Sequence, residues 1–218
     1  MKKISIAIDG PSASGKSTIS RNLAKKLKIH HLSSGSIYRA VALYMIRNNI
    51  QPENFNESIL KDINIEIKFE KDNQLTILNG EDVTKLLNTE QISIVSTQFA
   101  SILSIREFTK QIQRDLAEQM SLIIDGRDIT SVVLPNADYK FFLTASKKIR
   151  AKRRYEDYKR QNIKITFKEV YENLIKRDDM NENRKHGSLI KTKDSILINC
   201  SNLTIEQTVD KMLTYIKE

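Results

Sequence analysis

The stretch "IAIDGPSASGKST", residues 6–18, decides the fold. An apolar run, Ile6 to Ile8, leads into a turn spelling G-x-x-x-x-G-K-S, Gly10 to Ser17, and then into an amphipathic segment. Strand, glycine-punctuated turn and helix in that order are the context in which such a turn cradles phosphate. Gly10 and Gly15 let the backbone curl until successive N–H groups face an anion, and the helix starting near Lys16 adds the positive end of its dipole. Lys16 is expected to reach the β and γ phosphates of a nucleoside triphosphate, and the Ser17 hydroxyl to ligate Mg²⁺. Ile19, Leu23 and Leu27 recur every four residues and give that helix one apolar face. The competing reading, a surface turn that happens to hold two glycines and a lysine, is disfavoured by the strand before it and the helix after it.

A chain of 218 residues suits one domain with room for an insertion. No apolar run approaches the ~20 residues needed to span a bilayer, and "MKKISIAIDG" lacks the long apolar region of a secretory signal, so a cytoplasmic protein is expected. The single cysteine, Cys200, ends the apolar run "SILINC" and reads as a core thiol. His30, His31 and His186 show no metal-ligand spacing, which disfavours zinc. The net charge of +9 is local: residues 147–193 hold 16 Lys and Arg against 7 Asp and Glu, and the remainder is balanced. A compact basic segment of this kind suits small, densely charged phosphates at least as well as a nucleic-acid duplex.

Short apolar runs at 4–8, 121–125, 139–143 and 195–199 alternate with helical stretches, which predicts a parallel sheet covered on both faces. A last helix is expected over roughly 204–217, with Thr204 as its N-cap. Between about 63 and 84 the pattern changes to strict alternation, and Asn79-Gly80 supplies tight-turn chemistry, so this stretch reads as a small antiparallel insert too short to fold alone.

Three further stretches carry chemistry. In "SSGSIYR", 33–39, Gly35 frees a turn, Ser34 or Ser36 is a helix cap, and Arg39 projects near a helix N-terminus, either toward an anion or simply into solvent. In "IIDGRDITSVVLP", 123–135, Asp125 falls at the carboxyl edge of the sheet, where a Mg²⁺ water is readily held. Gly126 permits a bend there, and Arg127 and Asp128 turn into the same crevice. In "ASKKIRAKRRYEDYKRQ", 145–161, Arg150, Arg153 and Arg154 lie at spacings that share a helical face, and in "KRDDMNENR", 176–184, Arg177 and Arg184 stand two helical turns apart. For both, solvated helices with local ion pairs compete with a role in neutralising a transferring phosphoryl group.

Taken in order, "DGPSASGKST", "SSGSIYR", "DGRDITSVVLPNA", "RAKRR" and "RDDMNENR" resemble the bacterial cytidylate kinases, over almost the whole chain. The resemblance implies a nucleoside monophosphate kinase: an α/β P-loop kinase fold, residues 1–218, with a parallel sheet flanked by helices, an acceptor-side insert at about 60–100 that includes the small antiparallel β unit, and a helical lid at about 150–168. It implies transfer of the γ-phosphate of ATP to CMP or dCMP, giving ADP and CDP or dCDP, in pyrimidine nucleotide metabolism. The implied protein is a cytoplasmic monomer that needs Mg²⁺ and binds neither nucleic acid nor membrane.

Position by position, the resemblance makes Gly10, Pro11, Ser12, Ala13, Ser14, Gly15, Lys16, Ser17 and Thr18 the ATP phosphate loop. Arg39 and Arg127 would hold the acceptor phosphate, and Ser34, Arg106, Asp128 and Arg184 would face the cytosine. Arg177 and Asn181 would lie at the sugar, and Thr97 stands where the family commonly has serine. Lys16 and Arg127, with Arg153 and Arg154 from the lid side, would carry the transferring charge, while Ser17, with Asp125 through water, would hold Mg²⁺.

Three positions depart from the family pattern. Ser33 replaces an aspartate, Asn181 replaces a sugar-contacting aspartate, and "HGSLI" replaces the usual "APL" after Arg184, which leaves ribose against deoxyribose open. A phosphate acceptor needs little general-base help, because the second pKa of a phosphate monoester is near ~6. An alcohol acceptor would want a carboxylate such as Asp128 or Asp9, so a P-loop kinase acting on a small alcohol, or on UMP or AMP, is the nearest alternative. No N-K-x-D guanine-reading motif follows the last strands, which disfavours a GTPase.

Overall fold

The computed structural model describes residues 3–71 and 73–216. Five parallel strands form the central sheet: β1 (Ser5–Asp9), β2 (His30–Ser33), β6 (Leu122–Gly126), β7 (Tyr139–Thr144) and β8 (Ile196–Asn199), ordered β2-β6-β1-β7-β8. Because side chains alternate along a strand, β1 feeds two cores. Ile6 and Ile8, with Phe141, Leu143 and Ile198, pack on α1 (Lys16–Leu27) and on Val209 and Met212 of α7 (Ile205–Leu213). Ala7, with Leu32, Leu122 and Ile124, packs on the other face against α2 (Ser34–Arg47) and α4 (Leu103–Gln119). The α/β fold with helices on both faces is the one expected from sequence.

The insert between α2 and α4 carries a second sheet, antiparallel, ordered β3-β4-β5: β3 (Ile65–Glu70), β4 (Asn73–Leu78) and β5 (Glu81–Asp82). Asn79 and Gly80, both at positive φ (47° and 84°), form a two-residue turn. That turn joins β4 to the short β5, whereas the two long alternating runs are joined near Lys71, also at positive φ. The hairpin is tied to the main fold through Gln74, whose Oε1 accepts the Ser33 N–H at 2.8 Å and whose Nε2 donates to Ser36 Oγ. Helix α3 (Glu90–Phe99) follows and packs along α2.

After β7 come two helices packed on one another, the basic α5 (Lys147–Arg160) and α6 (Phe167–Glu182), the latter opened by a Thr166–Glu169 capping box. Helix α7 begins, as expected, behind Thr204, but it ends at Leu213, short of 217, which lies outside the described residues. Cys200 is buried, with Sγ near the Ser14 and Thr144 carbonyls.

Candidate active site

The sheet's register brings the phosphate loop and the second motif to one edge: Ile8 pairs with Asp125 and Asp9 with Gly126. The loop between β1 and α1 is tight enough that a Cβ at Gly10 would overlap the Leu143 carbonyl, so only glycine fits. The Lys16 ammonium is buried and donates to the Gly10 and Pro11 carbonyls, each at 2.8 Å, and to Ser14 Oγ at 3.3 Å. Burial, and then the nearby Arg127 guanidinium, push its pKa well below the usual lysine range.

Asp178 and Arg150, from α6 and α5, clamp the same loop. Asp178 Oδ1 accepts the Ser12 N–H at 3.0 Å and its Oδ2 accepts from Arg150, which also donates to the Ser12 carbonyl at 2.9 Å. Asp9 supports the second motif from beneath, accepting from the Ile129 and Thr130 N–H groups and from the Thr130 hydroxyl at 2.7–2.9 Å. Asp125 accepts from Ser17 Oγ at 3.0 Å through one oxygen, and its other oxygen lies 2.6 Å from His31 Nε2. Burial works to raise the Asp125 carboxyl, but His31, Lys16 and Ser17 together hold it below its ordinary value.

In front of the loop lies a cavity of about 560 Å³, a volume suited to small-molecule ligands. Its wall includes residues 12–18 and, opposite them, Ser34, Arg39, Thr97, Arg127, Asp128, Arg177, Asn181 and Arg184. Burial pushes the guanidinium pKa values of Arg39, Arg177 and Arg184 down, and that of Arg127 down to about 10. Neighbouring arginines add to each shift, so the wall is a cluster of mutually repelling cations that an anion would relieve. Among the described residues no acceptor meets the buried Arg127 Nε.

Several expectations need correcting. Helix α2 starts at Ser34, behind Ser33, and neither Ser34 nor Ser36 caps it: Ser34 Oγ donates to the Asp125 carbonyl and Ser36 Oγ to the Ser33 carbonyl. Gly35 lies inside that helix, and a Cβ there would stand 3.0 Å from the Arg39 guanidinium. Gly126 is still in strand β6, and what it provides is room for Ser34 and Ile129. Arg177 and Arg184 share no helical face, because α6 ends at Glu182; a loop carries Arg184 back to 3.6 Å from Asp128.

The three arginines of α5 also part company. Arg150 is the buried clamp. Arg153 donates to the Ser14 and Cys200 carbonyls and lies off the cavity wall, while Arg154 faces the cavity. Arg106 is likewise behind the wall, bonded to Asp128 and to the Ala100 carbonyl. Gly187, within the divergent "HGSLI", has φ +61°, and a Cβ there would overlap Arg106 and Asp128, so glycine is what lets this loop close over them. Sequence reasoning missed Asp178, His31 and Glu90; what marks them is their place in space, Asp178 on the phosphate loop, His31 on Asp125 and Glu90 on the cavity wall beside Arg154.

The sequence model of the cytidylate kinase family matches residues 6–218. A cytidylate kinase of Clostridium botulinum (strain Loch Maree / Type A3) is 42% identical over 218 residues, covering 100% of this chain and 99% of that one. One of Thermosipho melanesiensis is 39% identical over 98% of this chain and 96% of its own. Among solved structures, an uncharacterized protein of Eubacterium ventriosum superposes with TM-score 0.57 at 18% identity, over 99% of this chain and 98% of its own. Shikimate kinase of Bacteroides thetaiotaomicron does so with TM-score 0.51 at 12% identity, over 97% of each chain. The structural likenesses speak to the fold, which is that of the P-loop kinases; the sequence matches, spanning the entire chain, make it a member of the cytidylate kinase family.

Proposed function

We propose that this enzyme transfers the γ-phosphate of ATP to CMP or dCMP. The observation that carries the reading is the pairing, across one cavity, of the phosphate loop with a wall of five arginines, Arg39, Arg127, Arg154, Arg177 and Arg184, while the nearby carboxylates are already engaged. Asp9 is fully buried on Thr130 and off the wall, so it cannot reach an alcohol acceptor, and Asp128 is paired with Arg106 and Arg184. An acceptor that is itself a phosphate needs no carboxylate base.

In this reading residues 10–18 cradle the donor's phosphates, and Lys16 exchanges its loop carbonyls for the β and γ oxygens. Arg39 and Arg127 grip the acceptor phosphate in line, and Arg154 from the lid neutralises charge spreading over the transferred group. Arg153 acts from behind, fixing the Ser14 carbonyl and so the loop's shape. Asp128, Arg184 and Ser34 meet the cytosine edge, with Arg106 holding Asp128 in place. A carboxylate accepts from the cytosine amine and repels the uracil carbonyl. Thr97 and Asn181 lie toward the sugar; the Asn181 amide nitrogen is committed to the Arg177 carbonyl at 2.7 Å, so its side-chain oxygen is what it offers a sugar hydroxyl.

The Ser17 hydroxyl beside the Asp125 carboxylate is a hard-oxygen pair that fits Mg²⁺. Among the described residues no three His, Cys, Asp or Glu side chains gather as a metal cluster, in keeping with a cation that shares its ligands with nucleotide phosphates and water. When bound, Mg²⁺ supplies charge neutralisation on the donor phosphates; Asp125, oriented by His31, holds the hydroxyl that would meet it. The unit at about 60–100 then serves as the acceptor side and that at about 150–168 as the lid, in a cytoplasmic monomer; no helix among the described residues is long and apolar enough to cross a membrane. Incubation with γ-labelled ATP and CMP tests the transfer: label should appear in CDP, whereas label released only as inorganic phosphate would overturn it.

A further inference from the structure

Of the cations around the cavity, Arg154 stands apart in how it is held. Arg106 and Arg150 are locked on Asp128 and Asp178 in pairs whose side chains are at most 6% exposed. Arg154 is bonded to Glu90 at 3.2 Å in a pair 32% and 37% exposed, the sort of contact whose loss costs little. The two residues come from different flaps: Arg154 from α5, Glu90 from the first turn of α3 in the insert. Tyr158, one turn beyond Arg154, donates its hydroxyl to the same Glu90 oxygen at 2.6 Å and lies under the Arg154 guanidinium at 4.5 Å. Glu90, Arg154 and Tyr158 all line the cavity, with Arg177 among their electrostatic neighbours.

We propose that Glu90 is a positioning residue for the reaction: it holds Arg154 across the mouth of the cleft and gives it up to the phosphates of the bound triphosphate. The inference rests on the reading of this cavity as a kinase site. Two anions compete for one guanidinium. A terminal phosphoryl group offers more charge and more acceptor oxygens than a carboxylate, so it prevails. The Tyr158 ring keeps the guanidinium near the same place during the exchange. Once a triphosphate has taken Arg154, Glu90 is a like charge facing the phosphates, which loosens the insert from the lid.

ATP binding must therefore work against the Glu90–Arg154 bond. Titration calorimetry with ATP on the full chain tests this with Glu90→Gln, an isosteric change at a half-buried position that leaves the fold standing. Glu90→Gln should bind ATP about two- to fivefold more tightly, the range a partly exposed ion pair allows. The gain should vanish in Glu90→Gln/Arg154→Gln compared with Arg154→Gln alone. Unchanged or weaker ATP binding in Glu90→Gln would overturn the proposal, and so would an equal gain without Arg154, which would mark a general charge effect. Assay of CMP phosphorylation on the same wild-type preparation separates the two claims: transfer to CMP with a flat calorimetric series removes the Glu90 role alone, and the calorimetric pattern without transfer to CMP removes only the acceptor assignment.

Discussion

Replacing Asp178 with asparagine should reveal how the phosphate loop is held. The carboxylate spans 166 residues of sequence to accept the Ser12 N–H at 3.0 Å and the Arg150 guanidinium, and both side chains of the ion pair are 4–6% exposed. An amide of the same shape has one acceptor oxygen where the carboxylate has two, so either Ser12 N–H or Arg150 loses its partner. The loss of charge weighs more: Arg150 stays buried with only the Ser12 and Ala145 carbonyls, at 2.9 Å each, to solvate it. Breaking one side of a buried pair costs about 3–5 kcal/mol, and the retained hydrogen bond places Asp178→Asn at about 3. For a chain of this size that lowers the melting temperature by about 6–12 °C. Differential scanning calorimetry reads this directly, and ATP affinity should fall with it because Ser12 belongs to the cradle. Arg150→Met/Asp178→Leu, which removes both charges, should regain most of the stability and none of the ATP affinity. A melting temperature for Asp178→Asn within about 2 °C of wild type would refute the assignment of a buried charge clamp.

Lys16→Met should lower phosphoryl transfer by about three orders of magnitude without lowering the melting temperature, since a buried cation is replaced by an apolar chain of similar length; a steady-state assay beside a thermal melt checks both halves. Arg127→Met should raise the Michaelis constant for CMP at least about tenfold while leaving ATP binding within about twofold, as a loss of bidentate phosphate contact requires. Burial raises the Asp9 carboxyl from 3.8 to about 6 in spite of its three donors. The folded protein thus holds this proton more tightly than the unfolded chain, and the stability it confers is present below about 4 and lost as the pH rises through 6. The melting temperature of Asp9→Asn relative to wild type should climb across that interval, and a flat difference would show that Asp9 does not titrate there.

The parts of this molecule that could be read from sequence are those fixed by neighbours along the chain. Strand, turn and helix around Gly10–Ser17, the Asn79-Gly80 turn and the Thr204 cap each follow from residues within a few positions of one another. The family resemblance marked Arg39, Arg127, Arg177 and Arg184, which the structure places on one cavity wall, whereas their own spacing left solvated arginines as an open reading. What holds the site residues was not legible. Asp178 with Ser12, His31 with Asp125, Asp9 with Thr130 and Glu90 with Arg154 are separated by between 64 and 166 positions, and only the order of strands in the sheet and the return of α5 and α6 bring them together. Helical spacing misled for the same reason: Arg150, Arg153 and Arg154 share a segment, yet tertiary packing sends them to a clamp, a loop carbonyl and the cavity.

Catalytic efficiency with ATP and a panel of CMP, dCMP, UMP and AMP, read as ADP release, tests the central claim most directly. In the proposed reading Asp128, buried between Arg106 and Arg184, serves as a fixed acceptor for a cytosine amine, and a site built on such a bond leaves its own polar group unpaired, at about 1–3 kcal/mol, when the donor is missing. CMP and dCMP should therefore exceed UMP by at least about tenfold in kcat/KM, with AMP lower still. Equal efficiency with CMP and UMP would contradict the account and make this a broader pyrimidine monophosphate kinase.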